Sequence, residues 1–333
     1  MSNEIDFVIA WVDGNDENWI KEKKQYAPKD ATEDDSVVRY RDWENLKYWF
    51  RSVERYTPWV RKIHFVTWGH VPEWLDTANP KLHIVKHEDY IPKEYLPTFN
   101  SHTIELNLHR IPDLAEQFVY FNDDMFVNRP MKPEQFFKNG LPCDVFGLDC
   151  VYFGIDSAGP YIGNDLTVIN KHFRKSVSLK KNLGKYFKLR YGARRLYNTF
   201  FLTPWRWFPG FVYQHVANGY LKKTFEEVWA AEPEMLDASC KSRFRSETNV
   251  NQWVFKFWQL AEGNFYPRAY KLSRCFHLSA DVYCDELLED IKKSTHGLIC
   301  INDVQRTTDF EGKRDRINAA FAEVFPEKSS FER

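Results

Sequence analysis

An α/β fold, with helices packed on a largely parallel sheet, is what this sequence predicts. Three observations lead there. Apolar runs of strand length recur, each followed by polar or Gly residues. Segments of helical period lie between them. The resulting order of strand, helix, strand, strand, helix, strand is the alternation of α/β proteins. The runs are Ile5 to Val12, Ile63 to Val66, Leu82 to Val85 and Phe118 to Phe121, and their near-continuous apolar character fits strands covered on both faces. The first helix carries Leu46, Trp49, Phe50 and Val53 on one stripe, with Asp42 as its expected cap and Pro58 beyond its end. Ile104, Leu108 and Ile111 mark the second.

From Lys171 to Arg195 the chain carries many Lys and Arg and no Asp or Glu. It then turns aromatic through Trp205, Trp207, Phe208, Phe211 and Tyr213. This stretch reads as an insertion, either a surface for an anionic acceptor or lipid or simply a solvated basic face. Helical period returns at Val250, Val254, Phe257, Trp258 and Ala261, followed by a strand from Leu298 to Ile301 and a terminal helix with Ile317 and Phe321. A chain of 333 residues is long for one domain. The expected organisation is one elaborated catalytic domain: a nucleotide-sugar-binding core over 1–150, the insertion over 151–240 as the acceptor region, and 241–333 completing the site.

Composition narrows the function. A net charge of -1 argues against a nucleic-acid partner, whose phosphates call for a broad cationic excess. Cys143, Cys150, Cys240, Cys275, Cys284 and Cys300 form no CxxC pair and read as reduced thiols of a cytoplasmic protein. No apolar run reaches the roughly 20 residues of a membrane span, and the first strand begins too early to leave room for a signal peptide. The expectation is a soluble protein, at most peripheral at the inner face of a membrane.

Ligands of α/β sheets sit beyond the carboxyl ends of the strands, so the residues there are the first candidates. In FVYFNDDMFV an apolar run leads straight into Asn122, Asp123 and Asp124. Adjacent carboxylates beside a hydrophobic strand repel one another, and Mg²⁺ or Mn²⁺ is an economical compensation because hard cations take carboxylate and phosphate oxygens together. A solvated turn is the plainer alternative. The first strand ends in Asp13-Gly14-Asn15-Asp16, which suits ribose or base contacts, metal support, or an Asx-stabilised turn. After Asn100 and Ser101, His102, Glu105 and His109 are expected on one polar helix face. Arg39, Arg41, Arg51, Arg243 and Arg245 are candidate diphosphate donors, a task that suits the planar guanidinium.

Taken in order, IDFVIAWVDGND, RYRDWENLKYWFRSVERYTPWVRKIHFVTWG, LPTFNSHTIE with FVYFNDDMF, SRFRSETNVNQW and ICIND resemble the Stealth proteins. These include bacterial capsular and exopolysaccharide phosphotransferases and the animal N-acetylglucosamine-1-phosphotransferase. One departure is at His215, which is followed by Val216 and Ala217 rather than by an early Pro. The resemblance implies a glycosyltransferase-A-like, Rossmann-like core and transfer of a sugar-1-phosphate from a UDP-sugar to a glycan or lipid-linked glycan hydroxyl, releasing UMP. By motif it assigns Asp13, Gly14 and Asp16 to the nucleotide sugar and Asp123 and Asp124 to Mg²⁺ or Mn²⁺. It also groups His109, His215 and Arg245 around the reacting phosphate with Asp124. Arg39, Arg51, Asn100, Ser101, Glu105, Asn122, Asn302 and Asp303 complete the expected substrate contacts. His215 is the first choice of general base and His109 the second. The rival expectations are a conventional glycosyltransferase releasing UDP and a non-catalytic carbohydrate-binding protein with aromatic stacking platforms.

Overall fold

The computed structural model describes residues 4–27, 41–154, 158–304 and 307–333, so Arg39 lies outside the described residues. The first apolar run forms β1 (Ile5–Ala10), after which Asp16 caps α1 (Glu17–Tyr26) by accepting from the Trp19 amide. The second and third runs form β2 (Ile63–Thr67) and β3 (Leu82–Lys86) after α2 (Leu46–Tyr56). Asp42 does not cap α2. It accepts from the Glu44 amide one turn early, and Asn45 stands at the cap position.

A short α3 (His87–Tyr90) and α4 (Ser101–Leu106) lead to β4 (Gln117–Asn122) and β5 (Met125–Val127). The strands β6 (Phe137–Lys138) and β7 (Leu141–Asp144) follow. The basic segment is helical, as α5 (Gly159–His172), α6 (Lys175–Tyr186) and α7 (Ala193–Leu202). Next come β8 (Asn218–Leu221), α8 (Lys222–Ala231), α9 (Pro233–Lys241), α10 (Trp253–Glu262) and β9 (Tyr266–Pro267). The chain ends through β10 (Ser273–His277), α11 (Asp281–Lys293), β11 (Leu298–Asn302) and α12 (Phe310–Val324).

Among the described residues the main sheet has the order β3-β2-β1-β4-β8, with β8 alone antiparallel to its neighbour. The α/β class expected from the alternation is the class adopted, and the arrangement is Rossmann-like. β1 is buried on both faces because an apolar cluster lies on each. One gathers Phe7, Trp49, Phe121 and Phe321 beneath α2, α11 and α12. The other gathers Val8, Tyr120, Phe225 and Phe257 beneath α4, α5, α8 and α10. A second sheet, β10-β11-β5, extends the molecule beside the first.

One charge stands inside β1. Asp6 is fully buried and accepts from Arg61 Nε and Nη2 at 2.8 and 2.6 Å and from the Ala115 amide at 2.8 Å, with His64 Nε2 at 3.0 Å. Burial pushes the carboxyl up, but these partners outweigh it and hold the pKa below the ordinary value. This knot ties β1, β2 and the approach to β4 together at the amino ends of the strands, away from the ligand end.

Candidate active site

Strand order decides where a ligand can sit. The chain moves outward from β1 to β2 and β3, then returns to lay β4 on the other side of β1, so the loops after β1 and β4 diverge and leave a crevice. Register lines up the two strand ends, with Ala10 beside Asn122. A cleft of about 350 Å³ opens there. Trp11 and Val12 line it from β1, Ser101 and Glu105 from α4, and Asn122, Asp123 and Asp124 from β4; His215, Arg245, Asn302 and Asp303 reach it from later loops.

Strand pairing explains how distant residues arrive. Asp123 and Asp124 form the turn where the chain leaves the main sheet, because β5 pairs with β11 instead of folding back on β4. β8 runs antiparallel to β4 with Asn218 opposite Tyr120, so residues just before β8 project past the carboxyl end of β4. His215 therefore meets Asp124, with Nε2 3.6 Å from Oδ2. Likewise β11 lies antiparallel to β5 with Cys300 opposite Met125. The Ile301 amide then donates to the Asp124 carbonyl at 2.8 Å and Cys300 Sγ donates to Asp124 Oδ2 at 3.2 Å. The next two residues enter the cleft, Asn302 bonded to His277 Nδ1 at 2.9 Å and Asp303 paired with Arg41 at 3.2 Å. Arg245, in the loop after α9, donates to Ser101 Oγ through Nε and Nη2 at 3.0 and 2.5 Å.

The cleft is crowded with acids. Desolvation by its walls, together with Asp124 and Asp42, pushes the Asp123 carboxyl up to about 7, although solvent reaches the side chain. Glu105 is buried, and loss of water pushes it up to about 7 against the smaller pull of the Gln252 amide, His215 and Tyr120. Burial also raises Asp42 and Asp303. His215 responds the other way: burial lowers it, but the contact with Asp124 prevails and lifts it to about 9.

Such a site calls for positive charge. Asp124 Oδ1 is buried and finds no hydrogen-bond partner among the described residues, which is costly for a carboxylate oxygen unless a cation takes it. Asp123 and Asp124 offer the hard oxygens that Mg²⁺ or Mn²⁺ prefers. A carboxylate oxygen of Asp124, a His215 ring nitrogen and Cys300 Sγ also lie within 4.8 Å of one another. The donor set thus fits a divalent cation, with Asp124, His215 and Cys300 as the described groups whose ligand atoms lie close enough together to share one.

Several sequence expectations need correction. His109 is not in the cleft. The helix ends at Asn107, whose backbone (φ -101, ψ 0) opens a 3-10 turn, so His109 leaves the face of His102 and Glu105 and packs against Phe225 and Trp229. Burial there lowers its pKa to about 3. Arg51 is committed elsewhere: it grips Glu332 through Nε at 2.7 Å and Nη2 at 2.6 Å, pinning the chain end whose Phe331 packs on Phe50. Asn100 caps α4 and bonds Ser242 and Asn249 rather than lining the cleft. Asp16 is the α1 cap, and Asp13 accepts from Asn15 in an Asx turn; neither lines the cleft, nor does Gly14.

Arg243 donates to the Pro97 carbonyl and covers Tyr26. Of the four described arginines among those weighed, Arg245 and Arg41 line the cleft. Sequence reasoning also passed over the cysteines. Cys275 and Cys300 are register partners on adjacent strands, and their contact helps lower the Cys275 thiol and raise that of Cys300. Nothing in their wide spacing signalled this. Asp42, by contrast, stood beside Arg41 and was read as a cap.

Residues 3–31 match the model of Stealth protein CR1, conserved region 1, and residues 39–143 match that of Stealth protein CR2, conserved region 2. The chain is 42% identical over 332 residues to a capsular polysaccharide phosphotransferase WcwK of Streptococcus pneumoniae, covering 99% of this chain and 98% of that one. It is 38% identical to a receptor polysaccharide phosphotransferase WefC of Streptococcus gordonii, covering 100% of both. Among solved structures, the galactosyltransferase LgtC in complex with donor and acceptor sugar analogs is a slight likeness, with a TM-score of 0.40 and 12% identity over 94% of this chain and 95% of that one.

Proposed function

The chain belongs to the Stealth family of phosphotransferases, and from that premise we propose that it moves a sugar-1-phosphate from a UDP-sugar to a hydroxyl of a glycan acceptor during capsule or exopolysaccharide synthesis. The observation that carries this reading is the meeting of Asp123, Asp124, His215 and Arg245 in one cleft at the switch point of the sheet. Acids that need a cation, with a guanidinium and an imidazole beside them, are the parts phosphoryl transfer requires.

The acceptor oxygen attacks the phosphorus that carries the sugar. Its new P–O bond forms as the bond from that phosphorus to the bridging oxygen breaks, and UMP leaves with the bridging oxygen. Asp123 and Asp124 would hold a divalent cation, which would supply charge neutralisation to the diphosphate. Arg245, anchored to Ser101 through Nε and Nη2, would offer its remaining N–H groups to the phosphoryl oxygens. His215 is held protonated while Asp124 is uncompensated. Burial opposes that charge, and in its neutral form the imidazole can take the acceptor's proton. Glu105, whose carboxyl burial lifts to about 7, can in its protonated form donate to a sugar or phosphate oxygen without adding charge.

The identity of the released nucleotide tests the reading. UDP-sugars incubated with acceptor polysaccharide and Mg²⁺ are expected to yield UMP and a phosphodiester-linked product. Release of UDP with a simple glycosidic product would replace phosphotransfer by glycosyl transfer in the same cleft.

A further inference from the structure

Between α6 and β8 the chain presents apolar side chains to solvent. Tyr197, Phe200 and Phe201 fall at i, i+3 and i+4 on α7, hence on one face. That face looks outward, the three being 61%, 67% and 57% exposed. Leu189 before the helix is 90% exposed, and Trp205 and Trp207 after it are 64% and 46% exposed. Amphipathic helices ordinarily turn such a stripe to the core, whereas the residue α7 buries is Thr199. Single exposed apolar side chains need no explanation, but six gathered in one short stretch mark an interaction surface.

Charge selects the occupant. Lys188, Arg190, Arg194 and Arg206 interleave with these side chains and are exposed. From Lys171 to Phe225 the chain contains no Asp or Glu, although the whole protein is close to neutral. A neutral glycan or an apolar protein patch would not call for this local excess of cations. Rings and guanidinium groups on one surface are what the headgroup layer of an anionic bilayer accommodates, with Trp and Phe at the acyl boundary and Arg and Lys on lipid phosphates.

We propose that the surface from Leu189 to Trp207 docks the protein onto an anionic lipid bilayer. No helix among the described residues is long and apolar enough to cross a membrane, so the attachment is peripheral. Along the chain, Trp207 lies eight residues before His215, which lines the cleft. An acceptor carried on a lipid would then meet the imidazole close to the bilayer; that corollary rests on the proposed phosphotransfer, whereas the docking itself does not.

The test is flotation of the full chain with vesicles of phosphatidylglycerol and phosphatidylcholine, against vesicles of phosphatidylcholine alone. Wild type is expected to float with the anionic vesicles and to be released by salt. Two variants probe the two components: Phe200→Ser/Phe201→Ser/Trp205→Ser, and Arg194→Glu/Arg206→Glu. Each is expected to reduce the bound fraction at least roughly tenfold. Circular dichroism and melting should be unchanged, since these side chains are exposed. Absence of association at low salt overturns the proposal, as does undiminished binding by both variants. Self-association of the wild type that the aromatic variant abolishes, without vesicle binding, also overturns it and makes the surface an interface between copies. Because flotation needs neither donor nor acceptor, a negative result leaves the proposed chemistry standing, and release of UDP would leave the docking standing.

Discussion

Replacing Glu105 by Gln should make the protein less sensitive to alkaline pH, by an amount the structure sets. The carboxyl is 5% exposed and burial pushes its pKa to about 7, against 4.5 for an ordinary glutamate. Between those values the native state holds a proton that the unfolded chain releases, so stability falls as pH rises through the window. At 1.36 kcal/mol per pH unit the full effect is about 3 kcal/mol, and linkage integration from about pH 5 to about pH 8 gives about 2–3 kcal/mol. Glu105→Gln keeps the shape and most hydrogen-bonding capacity without the ionisation. Urea unfolding of both proteins across that range isolates the difference, because the other titrating groups largely cancel. The variant should gain about 2–3 kcal/mol on wild type between the two pH values. A difference that stays flat, or that moves towards wild type at high pH, would refute the claim that Glu105 is buried in neutral form.

Three further outcomes are expected. His215→Ala should slow single-turnover transfer by roughly 10²–10⁴ if the imidazole is the base. His109→Ala should leave the chemical step within about threefold, since that ring lies outside the cleft; equal losses in both would contradict the placement. Chelation should abolish transfer, with Mg²⁺ or Mn²⁺ restoring it in wild type but not in Asp124→Ala; full activity in chelator would remove the cation from the reading. Asp6→Asn should cost about 2–4 kcal/mol in urea unfolding, because it removes the buried carboxylate from His64 and leaves Arg61 with the exposed Asp113 alone. As the Asp6 pKa is depressed in the fold, the wild-type advantage is present above its ordinary value of 3.8 and is lost as pH falls through the lower folded value. Unchanged stability near neutral pH would show the pair to be dispensable.

Local pattern and tertiary pairing contributed differently to this protein. Apolar runs and helical period were enough to locate β1 to β4, α2, α10, β11 and α12, because burial on one or both faces leaves a record in consecutive residues. The adjacency of Asp123 and Asp124 after an apolar strand was equally legible. Meetings that depend on strand partners left no trace in apolar runs or period, and for His215, Asn302 and Asp303 the family resemblance alone implied them. His215 reaches Asp124 because β8 pairs antiparallel with β4, and Cys300, Asn302 and Asp303 arrive because β11 pairs with β5. His109 misses the cleft because one backbone step at Asn107 rotates it off the helix face, and Arg51 is taken by Glu332, a partner from the far end of the chain. Partner, direction and register of strands are selected by the energy of the whole packed core, so such contacts exist only once that core has closed.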